Sequence, residues 1–411
     1  MISSGYMCQC IEAYATVRKS IVDAAFQRMR IDDAQWDQLE PEPKIRRWAE
    51  ASNFCFRTLF PNEKKLCQLI FDGVESFIAE ACFMETVKAP AIQLLEFTEA
   101  TSITLTSSPH NLFDILYMYR SLEYLMSENR LMFVSESIHV TAAEVLPRLA
   151  EAARGTFSLF ENEVFGDTSK VAVPDGAIHP LTTYVMDYLS LISYIYKQTL
   201  NKVIVSNPSS SSPDMDFSDF EGVEEGKTQL EMHIIWILQI LRFKLDVKSK
   251  QYKDESLSHL FLMNNIHYIF KRGRGSYKLR EMVGDYYLKK LTVKTHKAAT
   301  RYFWATWGRV LHCLREEGLC AKNGGALNKS VFRKRIKDFN AMFDKVTRTQ
   351  AVWSVPDSQL RKDLRKSILQ KLIPAYQSFI ERGSEMVKSV KYSVGDLRTT
   401  VWDCFKGIPS S

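Results

Sequence analysis

Apolar residues recur every three or four positions along this chain, with no sustained alternation at every second position, and that period constrains the fold more than any other feature. Leu112, Leu116, Tyr119, Leu122 and Met126 share one face of a helical period. So do Val185, Tyr188 or Leu189, Ile192, Ile195, Thr199 and Val203, and again Phe332, Ile336, Phe339, Phe343 and Val346. A half-buried strand needs period two, so the pattern predicts an all-α chain of about a dozen helices and no sheet. Turn residues agree: 17 Gly and 13 Pro in 411 residues are too few for a turn-rich all-β chain. Capping chemistry marks several starts. Asn62 after Pro61 is expected to open a helix, Pro180 lies in a first turn after His179, and Ser330 and Asp357 are N-cap candidates.

A composition of 45% hydrophobic and 25% charged residues can bury a large core, and the length suits roughly two to four units or one long helical stack. Asn207 to Gly226 carries four consecutive serines, two prolines, six acidic residues and no basic one. Such a segment cannot bury enough apolar surface to offset its ordering entropy, so it reads as a disordered acidic loop. Leu319 to Lys329, with paired glycines, reads as a shorter linker. The resulting division is 1–60 (N-terminal helical bundle segment), 61–206 (middle bundle), 207–226 (acidic loop), 227–320 (third bundle) and 321–411 (basic C-terminal bundle). No internal repeat of fixed length is present.

The eight cysteines lie in apolar helical segments without a C-x-x-C pair or a secretory signal and read as reduced thiols of a cytosolic protein. The longest near-continuous apolar stretch, Ile234 to Leu241, is far short of the roughly 20 residues that span a bilayer, so no segment is expected to cross a membrane.

Local motifs for chemistry are near-misses. Asn323 to Ser330 ends like a phosphate-binding loop, but the two required glycines fall on Asn323 and Asn328 and no strand precedes it, which leaves a helix-to-helix linker. Asp32, Asp33 and Asp37 resemble a magnesium-binding aspartate cluster whose third carboxylate should stand where Trp36 is, which leaves a solvated turn. His312, Cys313 and Cys320 lack the close pairing of zinc ligands and read as core side chains. No H-E-x-x-H, G-x-S-x-G or G-x-G-x-x-G occurs, and neither catalytic residue, metal nor cofactor is assigned. Tyr302, Trp304 and Trp307 within Lys294 to Arg309 suggest a base-stacking platform, but their helical period assigns them to core packing.

Charge separates the two ends of the chain. Residues 1–250 hold 23 Lys+Arg against 34 Asp+Glu, and residues 251–411 hold 31 against 14. The basic end will seek polyanions, whether nucleic acid or anionic lipid. Arg333, Lys334, Arg335 and Lys337 crowd the first turns of one expected helix, and Arg361, Lys362, Arg365 and Lys366 those of the next. Cations there oppose the helix dipole, so local stability does not explain them; an external anion would, the alternative being an ordinary solvated face partly balanced by Asp338 and Asp363.

Four blocks in register carry a resemblance: Asn62 to Phe71 (NEKKLCQLIF), Ser108 to Tyr119 (SPHNLFDILYMY), Gly176 to Leu189 (GAIHPLTTYVMDYL) and Phe261 to Ile269 (FLMNNIHYI). Arg348 to Trp353 and Pro374 to Phe379 add to them. The sequence resembles the plant branch of the seventy-kilodalton exocyst subunit family from about Met1 to Gly407, weakening in the acidic loop and at Lys271 to Ser276. The resemblance implies an elongated rod of consecutive helical bundles and a non-enzymatic tether. Such a tether would hold secretory vesicles at the plasma membrane as part of the octameric exocyst. It implies other exocyst subunits as partners, Rho-type small GTPases and regulatory or pathogen proteins as further ones, and a peripheral membrane location. The family's phosphatidylinositol bisphosphate site, a K-x-x-K-Y motif, falls here on Lys388, Lys391 and Tyr392, with Arg361, Lys362, Arg365 and Lys366 as additional lipid candidates. Family members also carry an N-terminal coiled-coil helix that packs with sister subunits, and Met1 to Tyr6 begins after it. The rival reading is a basic helical nucleic-acid-binding protein with Trp304 and Trp307 on its surface.

Overall fold

A computed structural model of the chain describes residues 6–29, 41–73, 76–128, 130–169, 173–205, 226–319, 327–383 and 390–407. The acidic loop (except Gly226), the aspartates at 32, 33 and 37, Cys320, Asn323 and Lys388 lie outside the described residues. Among those described, every regular element is a helix, and one isolated bridge, between Ser354 and Lys406, stands where a strand would be sought. The all-α expectation is met. The chain divides into two compact units: Met1–Asn162 with Tyr196–Met215, and Glu163–Ile195 with Asp216–Ser411.

The first unit contains α1 (Met7–Gln27), α2 (Pro41–Phe54), α3 (Phe60–Ile70), α4 (Ser76–Leu105), α5 (Leu112–Ser127), α6 (Arg130–Val134), most of α7 (Glu136–Gly166), and, from further along the chain, Lys197–Val205. Helix α4 is its centre, with α1 and α3 against it. Trp48 Nε1 donates to Leu94 O at 2.8 Å and so ties α2 to α4 as well. Glu63 is buried between α1 and α3 with every requirement of its carboxylate met: Arg18 donates to both oxygens, at 2.9 and 2.6 Å, and the Tyr14 hydroxyl donates at 2.8 Å. A buried carboxylate without such partners would cost several kcal/mol.

No helix opens at Asn62. Helix α2 runs into α3 through one π turn, Cys55–Leu59, and Pro61 sits in the first turn of α3. The extra residue of a π turn widens the ladder just where proline would otherwise break it. The same device corrects a second expectation. Between α8 (Pro180–Leu191) and α9 (Lys197–Val205) the π turn Ile192–Tyr196 advances the helical phase by one residue. The core position passes from Ile195, 43% exposed, to Tyr196, 8% exposed.

The second unit is built on α11 (Glu255–Gly275) and α13 (Asp285–Cys313), which pack along their lengths. Around them stand α10 (Gln229–Ser249), α12 (Tyr277–Val283), α14 (Lys329–Ala351), α15 (Ser358–Arg382) and α16 (Val394–Asp403). Asp357 caps α15 as expected, its carboxylate accepting from Leu360 N at 2.7 Å, and His179 caps α8 just before Pro180. Helix α14, by contrast, starts at Lys329. Its cap is Asn328, whose Oδ1 accepts from Ser330 N and Val331 N, so Ser330 lies inside the first turn.

One buried network ties this unit together. The Tyr302 hydroxyl donates to Gln350 Oε1 at 2.8 Å and accepts from Trp307 Nε1 at 3.1 Å. Phe405 N then donates to Gln350 O at 3.0 Å, so the end of the chain, α14 and α13 close on one point. Trp304 is not part of it. It is 57% exposed, because two residues beyond Tyr302 turn the helix by about 200°, away from the face that Tyr302, Phe303 and Trp307 bury. Lys371 Nζ caps its ring from 5.2 Å.

Candidate functional site

The basic residues of the last third do not form one patch. Helices α14 and α15 run antiparallel, shown by the stacked pair Phe332–Phe379 and by Phe339 against Tyr376. The cation-rich start of α14 therefore lies beside the end of α15, and the start of α15 lies at the other end of the pair. Arg333, Lys334 and Lys337 are exposed and make no hydrogen bond or ion pair with a described residue, as are Lys362 and Lys366 on α15. Arg335 is occupied, donating to the carbonyls of Arg315 and Glu317 and so fastening the turn after α13. Arg361 Nη1 reaches back to Val355 O at 3.3 Å.

Arg365 departs from the sequence expectation. It is 7% exposed, donates from Nε to Cys404 O at 3.2 Å, makes a second bond to the same oxygen, and lies 5.4 Å from the centre of the Trp402 ring. Burial, then the Arg361 charge, lowers its pKa. A guanidinium spent on an internal carbonyl is a strut of the fold and is not displayed to an outside anion. Its place in the first turns of α15 suggests a cation open to an outside anion, but Leu364 and Ile368 beside it are buried and pull it inward.

Of the K-x-x-K-Y motif, the structure describes Lys391 and Tyr392. Lys391 Nζ donates to Asp344 Oδ2 at 2.7 Å and stands 4.8 Å from the centre of the Tyr392 ring. The Tyr392 hydroxyl donates to the other Asp344 oxygen, while Tyr376 Oη donates to Tyr392 O at 2.5 Å. These bonds hold the Asp344 carboxyl below its ordinary range and the Lys391 ammonium above its own. Sequence reasoning missed Asp344, one of two acids, with Asp338, in an otherwise basic helix. Lys391 precedes α16 and Arg365 is bonded just past its end, so about 15 Å of helix separates them. The motif and the start of α15 are two neighbouring positions on one unit.

A cavity of about 760 Å³ lies between α8, α11 and the start of α15, lined by Leu191, Tyr194, Tyr268 and Leu360 with Lys271, His267 and Asp357 among its polar groups. Lys271 Nζ donates to Asp357 Oδ2 at 2.6 Å, and His267 Nε2 is 3.6 Å from the other oxygen. Burial lowers the pKa of His267, against the pull of Asp357, and likewise that of His259 on the same helix, against Glu255. Both imidazoles are thus held neutral in the fold at a pH where the unfolded chain takes up protons. The unfolded state binds more protons as pH falls through about 6.5, so stability is full above that value and declines below it. Melting measured from about pH 7.5 to 5.5 should show this loss, and His267→Gln should flatten it; an unchanged slope would contradict the assignment.

Residues 46–403 match the family defined by the C-terminal region of the exocyst complex protein Exo70. The chain is 33% identical to exocyst complex component EXO70C1 of Arabidopsis thaliana over all of its own length and 65% of that protein's. It is equally 33% identical to EXO70B1 of the same plant, over 99% of this chain and 65% of the relative. The chain thus spans somewhat less than two thirds of the length of these curated relatives. Among solved structures, Exo70 of S. cerevisiae superposes with a TM-score of 0.57 at 12% identity, covering 97% of this chain and 76% of that one, a likeness of fold.

Proposed function

This chain belongs to the Exo70 exocyst subunit family, and from that premise we propose that it acts as a vesicle-tethering adaptor that meets phosphoinositide membrane through its basic C-terminal surface. The tethering role is supported by the family. The lipid contact is supported by one observation: Arg333, Lys334, Lys337, Lys362 and Lys366 stand exposed on the last two long helices without an acidic partner among the described residues. Lys391, with Lys388 from the sequence motif, completes the set, and Arg365 is left out of it. On the same premise its partners are other exocyst subunits, with Rho-type GTPases and regulatory or pathogen proteins as further candidates, and its place is the inner face of the plasma membrane. It acts there as a tether and carries out no reaction. No helix among the described residues is long and apolar enough to cross a membrane, so a peripheral contact through charge is the mode that fits.

The test is liposome co-sedimentation with and without phosphatidylinositol bisphosphate at fixed total anionic charge. Each cation near an anionic surface contributes on the order of 1 kcal/mol, so Lys388→Ala with Lys391→Ala should weaken binding roughly tenfold to thirtyfold and further with added salt. Lys362→Ala with Lys366→Ala should give a smaller loss. Arg365→Ala should instead lower the melting temperature, since its side chain is internal. Equal binding by wild type and the Lys388/Lys391 double variant would refute the site. Nucleic acid is the weaker alternative: Trp307 is buried, so the paired stacking platform that reading needs is absent.

A further inference from the structure

A cleft of about 280 Å³ opens in the second unit between α10, α11 and α13. Leu262, Ile266 and Ala298 line it together with Arg242, Lys294, Lys297 and Arg301. The spacing on α13 explains the wall: Lys290, Lys294, Lys297 and Arg301 recur at intervals of four, three and four residues, so one face of the helix carries a stripe of like charge. Arg242 faces it from α10. Asp246, one turn further along α10, is the one carboxylate among the lining residues; His259 also lines the cleft, with Glu255, outside the lining, 3.7 Å from its Nε2.

None of Arg242, Lys294, Lys297 and Arg301 makes a hydrogen bond or an ion pair with a described residue. Like charges a turn apart destabilise a helix, and a buried donor without an acceptor costs more. Both penalties are present. Arg242 Nε is buried with no partner, and so is the hydroxyl of the buried Tyr287, within electrostatic reach of Arg242. Burial, then the charge of Arg242, lowers the pKa of Lys294, and burial raises that of Asp246. An ordinary solvated face would let its cations spread into water; here Arg242 and Lys294 are half-buried against each other.

We propose that this cleft binds a compact anion bearing several phosphate groups, an inositol polyphosphate being the form whose charge and size fit. Arg242, Lys294, Lys297 and Arg301 offset part of its charge. The volume is near the lower end for small-molecule sites, which favours a soluble anion or a single lipid headgroup over a nucleic-acid strand. The site is separate from the K-x-x-K-Y motif, which lies beside α14 and α16.

The experiment is calorimetric titration and thermal melting of the whole chain with inositol hexakisphosphate, with inorganic phosphate, and with vesicles containing phosphatidylinositol bisphosphate at matched charge. Inositol hexakisphosphate should bind and raise the melting temperature, and inorganic phosphate should bind far more weakly. Lys294→Gln with Arg301→Gln should weaken inositol hexakisphosphate binding about a hundredfold, at roughly tenfold for each charged hydrogen bond removed. Inositol hexakisphosphate should still raise the melting temperature of Lys388→Ala with Lys391→Ala, which separates this site from the membrane surface proposed above. If the double variant melts early without ligand, Lys297→Gln with Arg301→Gln, both exposed, replaces it. Binding confined to vesicles and lost in the double variant would support the same site with a lipid headgroup as source. No binding by wild type, binding unchanged in both variants, or a preference for RNA that the variants abolish would each overturn the proposal.

Discussion

Replacing Asn265 by alanine is expected to lower the melting temperature of the second unit by roughly 6–12 °C, the equivalent of about 3 kcal/mol. Asn265 is wholly buried and uses all four of its bonding positions. Its Oδ1 accepts from His179 N at 2.9 Å and from Thr182 Oγ1 at 2.8 Å, while Nδ2 donates to Ala177 O at 3.2 Å and Phe261 O at 2.9 Å. One amide thus fastens the segment that leads into α8 onto the middle of α11. Its neighbour Asn264 extends the tie, donating to Gly176 O and Ser354 O, each at 2.8 Å. Alanine would leave a buried N–H, a hydroxyl and a carbonyl without partners, and a lost partner in a dry site costs more than the bond itself contributed. Asn265→Asp keeps both acceptors but sets a carboxylate against two carbonyls, so it should also destabilise. Calorimetry of the two variants beside an exposed control, Lys362→Ala, decides the matter, and a shift below about 2 °C for alanine would sink this account.

Gly383→Ala should carry the second large loss, roughly 1–3 kcal/mol, for a different reason. Gly383 ends α15 with φ at −102°, a conformation open to any residue, so backbone freedom is not what glycine supplies there. Space is. A β-carbon at this position would come within 2.3 Å of Phe332 Cε2 and Cζ. That ring is fully buried and stacked on Phe379, with centroids 4.8 Å apart and planes 10° from parallel, so it cannot retreat without breaking the pair that holds α14 against α15. Because the penalty comes from one contact, Phe332→Leu should relieve part of it. The double variant is expected to be more stable than the sum of the two single changes predicts. Strict additivity in chemical denaturation would show that the clash is not the cause.

Both positions lie where sequence alone is silent about the reason. Apolar residues at helical spacing, an Asp before a helix start or a proline after His179 act within a few turns of chain, so α15, α8 and the faces of α5 and α14 could be written down from the sequence. The division of charge between the halves, and the family blocks from Asn62 to Ile269, were equally legible, since they are properties of order and composition. The π turns were not: they arise from how neighbouring helices seat a widened turn, and one of them moved Ile195 outward and Tyr196 inward. Nor was the division of the basic residues into struts and free charges. Arg365 became a strut because Cys404 O, thirty-nine residues later, arrived beside it, and Lys391 acquired Asp344 from a different helix. The cation stripe of α13 is visible as spacing, yet a stripe is a solvated face until Arg242 stands across from it in a half-buried cleft. Local periodicity sets which residues can share a face, whereas a charge's partner, or its lack of one, is decided by elements far apart in sequence meeting in a medium where an unpaired polar group is costly.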